Sequence, residues 1–286
     1  IMIYPENFEY KIGFDRIRNL LSEKCLSPMG LEKVDEIKFI DDFDSLSHKL
    51  SATFEFQQIL KFEDFFPNEH YYKISDCLNK IRIEGTFPEV QEVFDLKRSL
   101  ETVKTILNFF RNKDVVKYPV LRSMCSSVKT YPYVLEAIDR IIDKHGVIKD
   151  NASTRLKEIR SELVGKSMQV TKRLNAILRQ AQSDGIVDAD TSVSIRNGRG
   201  VIPVSTYDKR KIKGLIHDQS SSGKTVFIEP EEIVEINNDI VELEYEERRE
   251  IVRILTAFAD NVRPYIDDLL ESNMFLGEID FIRSKA

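Results

Sequence analysis

The sequence predicts a mainly α protein: a helical domain with two long antiparallel helices carrying a small antiparallel β-sheet. Three observations predict it. Only 11 glycines and 9 prolines occur in 286 residues, too few for a turn-rich all-β fold. Residues 151–182 and 231–262 each carry a narrow apolar stripe at helical spacing, the pattern of a two-helix seam. Between them the period switches to two, as strands require. The predicted organisation is a helical core over 1–150, two long helices over 151–262 with the small sheet at 183–230, and a return segment over 263–286.

The elements follow in order. Ile12, Ile17, Leu20 and Leu21 share one face of a first helix, which is expected to stop near Ser27-Pro28-Met29-Gly30. Asp41 or Asp42 caps a second helix, with Leu46, Leu50, Phe54 and Ile59 as its buried side. Ile74, Leu78 and Ile81 mark a short helix ended by Gly85. Val93, Leu96, Leu100, Val103, Leu107 and Phe110 step by three and four, the cleanest amphipathic pattern of this half. Pro132 opens another helix, with Leu135, Ile138 and Ile142 on one face and Gly146 closing it.

From Asn151 the stripe narrows to Leu156, Ile159, Leu163, Val170, Leu174, Ile177 and Ala181, and Gly185 supplies a left-handed cap. Thr191, Val193 and Ile195 then alternate with polar residues, and Asn197-Gly198 reads as a turn. Val201, Ile202 and Val204 form a second strand, with Pro203 suggesting an edge. Lys211–Ile216 and Thr225–Ile228 complete the sheet around a 219–224 loop. Glu229-Pro230-Glu231-Glu232 starts the returning helix with proline in its first turn and acids at its positive end. Its stripe is Ile233, Ile236, Ile240, Leu243, Ile251, Ile254 and Phe258, and Pro264 is expected to break it.

Charge divides along the same lines. The chain carries a net −6, but residues 151–182 hold seven Lys/Arg against two Asp/Glu, and residues 231–262 hold three against ten. Helices so charged attract along their edges. In the predicted sheet Arg196, Arg199, Lys209, Arg210, Lys211, Lys213 and Lys224 cluster in turns and on strands. Cations on a hairpin neutralise phosphate without reading base sequence, so these seven are the candidate nucleic-acid-binding residues. The bland alternative is a solvated hairpin.

Three lures are set aside. Ser222-Gly223-Lys224-Thr225 resembles the end of a phosphate-binding loop, but Asp218 stands where the first glycine belongs and strand-like Val226-Phe227-Ile228 follows. A turn with a basic residue fits better. His217-Asp218 near Ser220–Ser222 lacks a nucleophile elbow, and strand neighbours point to opposite faces. Cys25, Cys77 and Cys125 are scattered, which fits a reducing compartment and no zinc site. No apolar run reaches membrane-span length, and no signal peptide precedes Tyr4-Pro5. The expected location is cytoplasmic, with no membrane partner.

Residues 145–260 resemble the MutS family, in its MutS-two branch. The carrying text is Gly146-Val147-Ile148-Lys149-Asp150-Asn151-Ala152-Ser153, then Arg199-Gly200-Val201-Ile202-Pro203-Val204. Best of all is Gly214-Leu215-Ile216-His217-Asp218-Gln219-Ser220-Ser221-Ser222-Gly223-Lys224-Thr225-Val226-Phe227-Ile228-Glu229-Pro230, followed by Asn237-Asn238 and Glu246-Glu247. Weaker likeness covers 1–144, and 278–286 resembles the segment entering the family's ATPase domain.

The resemblance implies long levers carrying a β-clamp that touches DNA, and a downstream ATPase domain that dimerises and couples ATP to clamp movement. No Gly-x-x-x-x-Gly-Lys-Ser/Thr occurs in these residues. The chain is therefore expected to hold no cofactor and no catalytic residue, with ATP and Mg²⁺ belonging to a domain beyond it, as would a Smr nuclease domain. Phe94-Asp95-Leu96-Lys97 is similar to a Leu-Asp-Leu-Arg/Lys element linked to nuclease activity in some relatives, but Phe94 departs from it and core packing explains Leu96. The expected function is a DNA-binding lever/clamp in mismatch repair or suppression of homologous recombination, on branched or mismatched DNA and in a homodimer. Two alternatives stand beside it: a region that grips rRNA on stalled ribosomes, and a structural spacer between ATPase heads.

Overall fold

The structure is a computed structural model that describes residues 7–114 and 116–286; the stretch around Tyr4-Pro5 lies outside the described residues. It is mainly helical with one four-stranded antiparallel sheet, as the sequence predicts. The chain divides into two compact units, residues 1–149 with 255–286 and residues 150–254.

In the first unit the elements are α1 (Phe8–Lys11), α2 (Phe14–Lys24), α3 (Pro28–Asp35), α4 (Phe43–Phe62), α5 (Ser75–Ile81), α6 (Val90–Arg111), α7 (Pro119–Cys125) and α8 (Pro132–Ile141). All six residues of the α6 stripe are buried. Asp42 caps α4 by accepting the Ser45 N–H at 2.7 Å, the role read for it. α2 stops at Lys24, close to the expected Ser27–Gly30 stretch, and that stretch then starts the next helix. Ser27 is the N-cap of α3, and its hydroxyl accepts the Gly30 N–H at 3.0 Å while donating to buried Asp280 at 2.7 Å. A Cβ at Gly30 would sit 2.3 Å from the Asp280 Oδ2, so glycine is needed for contact, not for a stop.

The α4 face also differs from expectation. Ile59 is buried at 1%, but Leu50 and Phe54 are 62% and 60% exposed, and Ala52, Glu55 and Phe56 face inward instead. α4 is apolar on more than one side, so spacing alone cannot say which side meets the core. The expected face of the first helix is likewise outward: Ile12, Ile17 and Leu20 are exposed. Gly146 does not close α8, which ends at Ile141; Ile142 then bridges to Ile148 across the turn that contains the glycine.

The second unit is built on α9 (Thr154–Ser183) and the first part of α10 (Glu231–Val262). At 1.5 Å per residue each helix is roughly 45–48 Å long. They run antiparallel. Ser153 meets Glu250 at 2.6 Å, Arg160 meets Glu247 at 2.6 Å, Lys166 meets Asp239 at 2.6 Å, and Arg173 donates to the Glu232 carbonyl, so partners descend α10 as they climb α9. The opposite charges counted in the sequence thus meet across the seam. α9 ends in a Schellman motif around Gly185 (φ +68°), with the Ile186 N–H donating to the Ala181 carbonyl at 2.8 Å.

Between the helices lie β1 (Ser194–Arg196), β2 (Arg199–Ser205), β3 (Gly214–Gln219) and β4 (Thr225–Pro230), in the order β1-β2-β4-β3. β1 is shorter than the period-two run suggested and pairs only with Arg199–Val201, so the β1 side of β2 at Pro203 carries no strand, as proline requires. Val201, Ile202, Val204, Val226 and Ile228 are buried, and α9 supplies Val170, Leu174, Leu178 and Ala181 to the same core as the sheet's inner face. Two boundaries move. Lys211 is in a turn, its N–H bonded to the Asp208 carbonyl at 2.8 Å, and strand pairing begins at Gly214. Pro230 ends β4 instead of opening α10. After α10 a single turn around Pro264 leads into α11 (Ile266–Lys285), which completes the first unit's core with Phe275, Leu276, Ile279 and Ile282.

Candidate nucleic-acid interface

The sheet brings the seven candidate cations to different places. β2 and β4 are antiparallel, with Ser205 opposite Thr225 and Ile202 opposite Ile228. Thr206 leaves β2 beside the β3–β4 turn: its N–H donates to the Lys224 carbonyl at 2.9 Å and its hydroxyl to the Gly223 carbonyl at 2.6 Å. The chain then passes through a turn at 206–211, buries Ile212 in the sheet core, and reaches Lys213, whose carbonyl accepts the Glu231 N–H at 3.0 Å. Lys224 and Lys213 therefore flank the two ends of β4, roughly 20 Å apart at strand rise.

Arg199 turns inward. Its guanidinium donates to both oxygens of Glu229 at 2.9 and 3.1 Å and to the Asn238 side chain at 2.8 Å. Glu229 is fully buried (0% exposed) and also accepts from Asn237 and from His217 Nε2, each at 2.5 Å. His217 is the extra residue of a β-bulge in β3, which re-aims its ring. Burial pushes the Glu229 carboxyl up, but the hydrogen bonds from Asn237, His217 and Arg199 outweigh it and hold the group below the usual carboxylate range. A buried charge needs such partners, so Arg199 and His217 are structural here. The structural role read for His217 is met by a partner 12 residues away.

Arg196 is also engaged. It lies 4.0 Å over the Phe227 ring and 3.2 Å from the Asp218 carboxylate. Lys211 pairs with Asp208 at 2.7 Å. Lys209, Arg210, Lys213 and Lys224 are exposed, and among the described residues their side chains have no ion-pair or hydrogen-bond partner. The Gly223-Lys224 stretch is a β3–β4 turn, with Gly223 N–H donating to Ser220 at 2.8 Å and Thr225 N–H to the Ser220 hydroxyl at 3.0 Å. It is not followed by a helix, in line with the rejection of a nucleotide loop.

Sequence reading missed the buried acid at the centre of this arrangement. Glu229 sits before Pro230 at what reads as a helix start, where an exposed acid is ordinary. It also passed over Tyr207, which is 96% exposed in the same turn as Lys209 and Arg210; an aromatic two residues before three successive basic residues was the available signal. Leu96 of the Phe94–Lys97 element is buried, and Lys97 pairs with Asp139 at 2.6 Å. Among the described residues no three His, Cys, Asp or Glu side chains converge as a metal site, and no helix is long and apolar enough to cross a membrane.

No protein-family model matches the chain. Curated relatives do, and along nearly all of it. The chain is 31% identical over 276 residues to Endonuclease MutS2 of Alkaliphilus oremlandii, 96% of this chain and 35% of that protein. Endonuclease MutS2 of a Geobacillus species is 32% identical over 277 residues and that of Staphylococcus haemolyticus 31% over 280, with the same shares covered. The chain thus spans about a third of the length of the curated relatives it matches. The likeness to the MutS-two branch read from residues 145–260 extends over 96% of the sequence.

Proposed function

We propose that residues 150–254 form a lever and clamp that holds DNA by its phosphates, within a longer protein acting in DNA repair or recombination. The remaining residues form a helical core. The observation that carries this reading is the set of four exposed cations, Lys209, Arg210, Lys213 and Lys224, left unpaired beside a sheet whose buried polar groups are satisfied. Unpaired cations on exposed turns are available to replace counterions on a phosphate backbone. The likeness to proteins named Endonuclease MutS2 supports DNA as the ligand. In the whole protein the clamp would be moved by ATP binding in a further domain, in a homodimer, through a shift in the population of clamp states. Nuclease activity would reside outside these residues.

The test is binding of the 286-residue chain to a fluorescent DNA duplex at several salt concentrations. Replacing Lys209, Arg210, Lys213 and Lys224 together with glutamine should weaken binding and reduce the log–log salt slope by about 3 to 4, near 0.9 for each lost phosphate contact. An unchanged slope would overturn the reading.

A further inference from the structure

We infer that Tyr207 is a stacking platform for an unstacked nucleic-acid base, so that the clamp prefers ligands with a single-stranded segment over continuous duplex. This rests on reading the neighbouring cations as phosphate contacts. Tyr207 is 96% exposed, more than any other large apolar side chain among the described residues, and its hydroxyl has no partner there. Among the described residues no ring or cation stacks on it, so covering it costs no such contact.

The backbone beneath it is pinned. Thr206 is tied to Lys224 and Gly223 through its N–H and its hydroxyl. The Asp208 N–H donates to the Ser205 carbonyl at 2.9 Å, Asp208 pairs with Lys211, and Ile212 anchors the far side of the turn in the sheet core. The ring is thus presented by a fixed turn, and binding need not order the backbone that carries it.

Its surroundings select the ligand. Lys209 and Arg210 follow it without ion partners among the described residues, and Thr206 places the Lys224 backbone alongside; Asp208 is held by Lys211, and Asp188 and Asp190 line the hollow on the Lys224 side. An aromatic face flanked by unpaired cations is the arrangement that binds single strands: phosphates meet the cations while a base covers the ring. In continuous duplex the base faces are already covered, so the ring adds nothing there. Stacking tolerates any base, and both DNA and RNA offer it; the shared ligand chemistry is an unstacked base on a phosphate backbone.

The chain contains no tryptophan, so Tyr207→Trp installs a single indole reporter at an exposed position. Its emission should be quenched by a single-stranded oligonucleotide of about 12 nucleotides and not by blunt duplex. Oligo(dU) and oligo(rU) arms identify the source: quenching by both means the base alone is read, and quenching by one names the sugar that is accepted. Tyr207→Ala should lower single-strand affinity by about 5- to 100-fold, with the salt slope and duplex affinity unchanged, while Tyr207→Phe should bind like the parent. Absence of quenching by either oligonucleotide, or equal loss on single strand and duplex in Tyr207→Ala, would overturn the proposal. Loss of the phosphate reading is distinguishable: Lys209→Gln with Arg210→Gln and Lys224→Gln would then leave duplex affinity and its salt slope unchanged, whatever Tyr207 does.

Discussion

Arg199 and Lys209 lie ten residues apart on the same small sheet and its turn, and as sequence signals they are equivalent. In the fold they do opposite things. Arg199 is 22% exposed and spends its donors on buried Glu229 and on Asn238, whereas Lys209 is exposed and has no partner among the described residues. The difference lies in what faces each cation. A fully buried carboxylate demands a compensating charge, and the chain supplies Arg199; nothing comparable faces the 206–211 turn. A basic residue in a clamp is therefore available to phosphate only where the fold has not already claimed it.

The sharpest way to break this comparison is to remove each cation in turn. Arg199→Met should destabilise the sheet-bearing unit by about 3–5 kcal/mol, because it strands the Glu229 charge with only His217 and Asn237 for company. Lys209→Met should change stability by no more than about 0.5 kcal/mol. Urea midpoints of the two variants measure both, and equal midpoints would erase the distinction.

The same contrast exists on α4 between side chains that the core claims and those it leaves. Ile59→Ala should cost about 2–5 kcal/mol, since the side chain is removed from a packed core. Leu50→Ala should cost under about 1 kcal/mol, because the residue is already 62% exposed. Thermal unfolding of the two variants gives the comparison.

Acid titration sharpens it next. Hydrogen bonds from Arg253 hold the Glu250 carboxyl down to about 2 against the opposing push of burial, and the Ser153 hydroxyl assists. A depressed carboxylate contributes stability that is complete above its ordinary value of about 4.5 and lost as pH falls through about 2. Glu250→Gln should therefore flatten the fall in stability between these two pH values, and carboxyl chemical shifts of Glu250 report its titration directly. Glu229, also depressed, adds to the same acid limb. A similarly small effect belongs to the helix seam: Lys166 and Asp239 are both partly exposed, so Lys166→Ala should barely lower the unfolding midpoint, and less still at high salt.

These cases show what was legible in the sequence. The α6 stripe, the two long helices, the four strands and the Gly185 cap each depend on residues close in the chain, and each stands in the structure. The α4 face was misread because Leu46, Leu50 and Phe54 form as good a period as Ala52, Phe56 and Ile59, and only tertiary contact selects between them. The start of β3 was misread because Ile212 points into the core from a turn, which looks like strand alternation. The division of the seven cations was invisible for a different reason. The Arg199–Glu229 pair joins residues 30 apart with no local signature, and a single sequence cannot say which acid a given arginine meets.

The central claim is that phosphate contact belongs to the unclaimed cations and not to the claimed ones. The most direct test is the salt dependence of DNA binding by the 286-residue chain in two variants, Lys209→Gln with Arg210→Gln, and Arg196→Gln. The account predicts that the first reduces the slope by about 2 and that the second, removing a guanidinium held by Phe227 and Asp218, leaves it unchanged. A slope reduced by Arg196→Gln and unaltered by the double variant would contradict it.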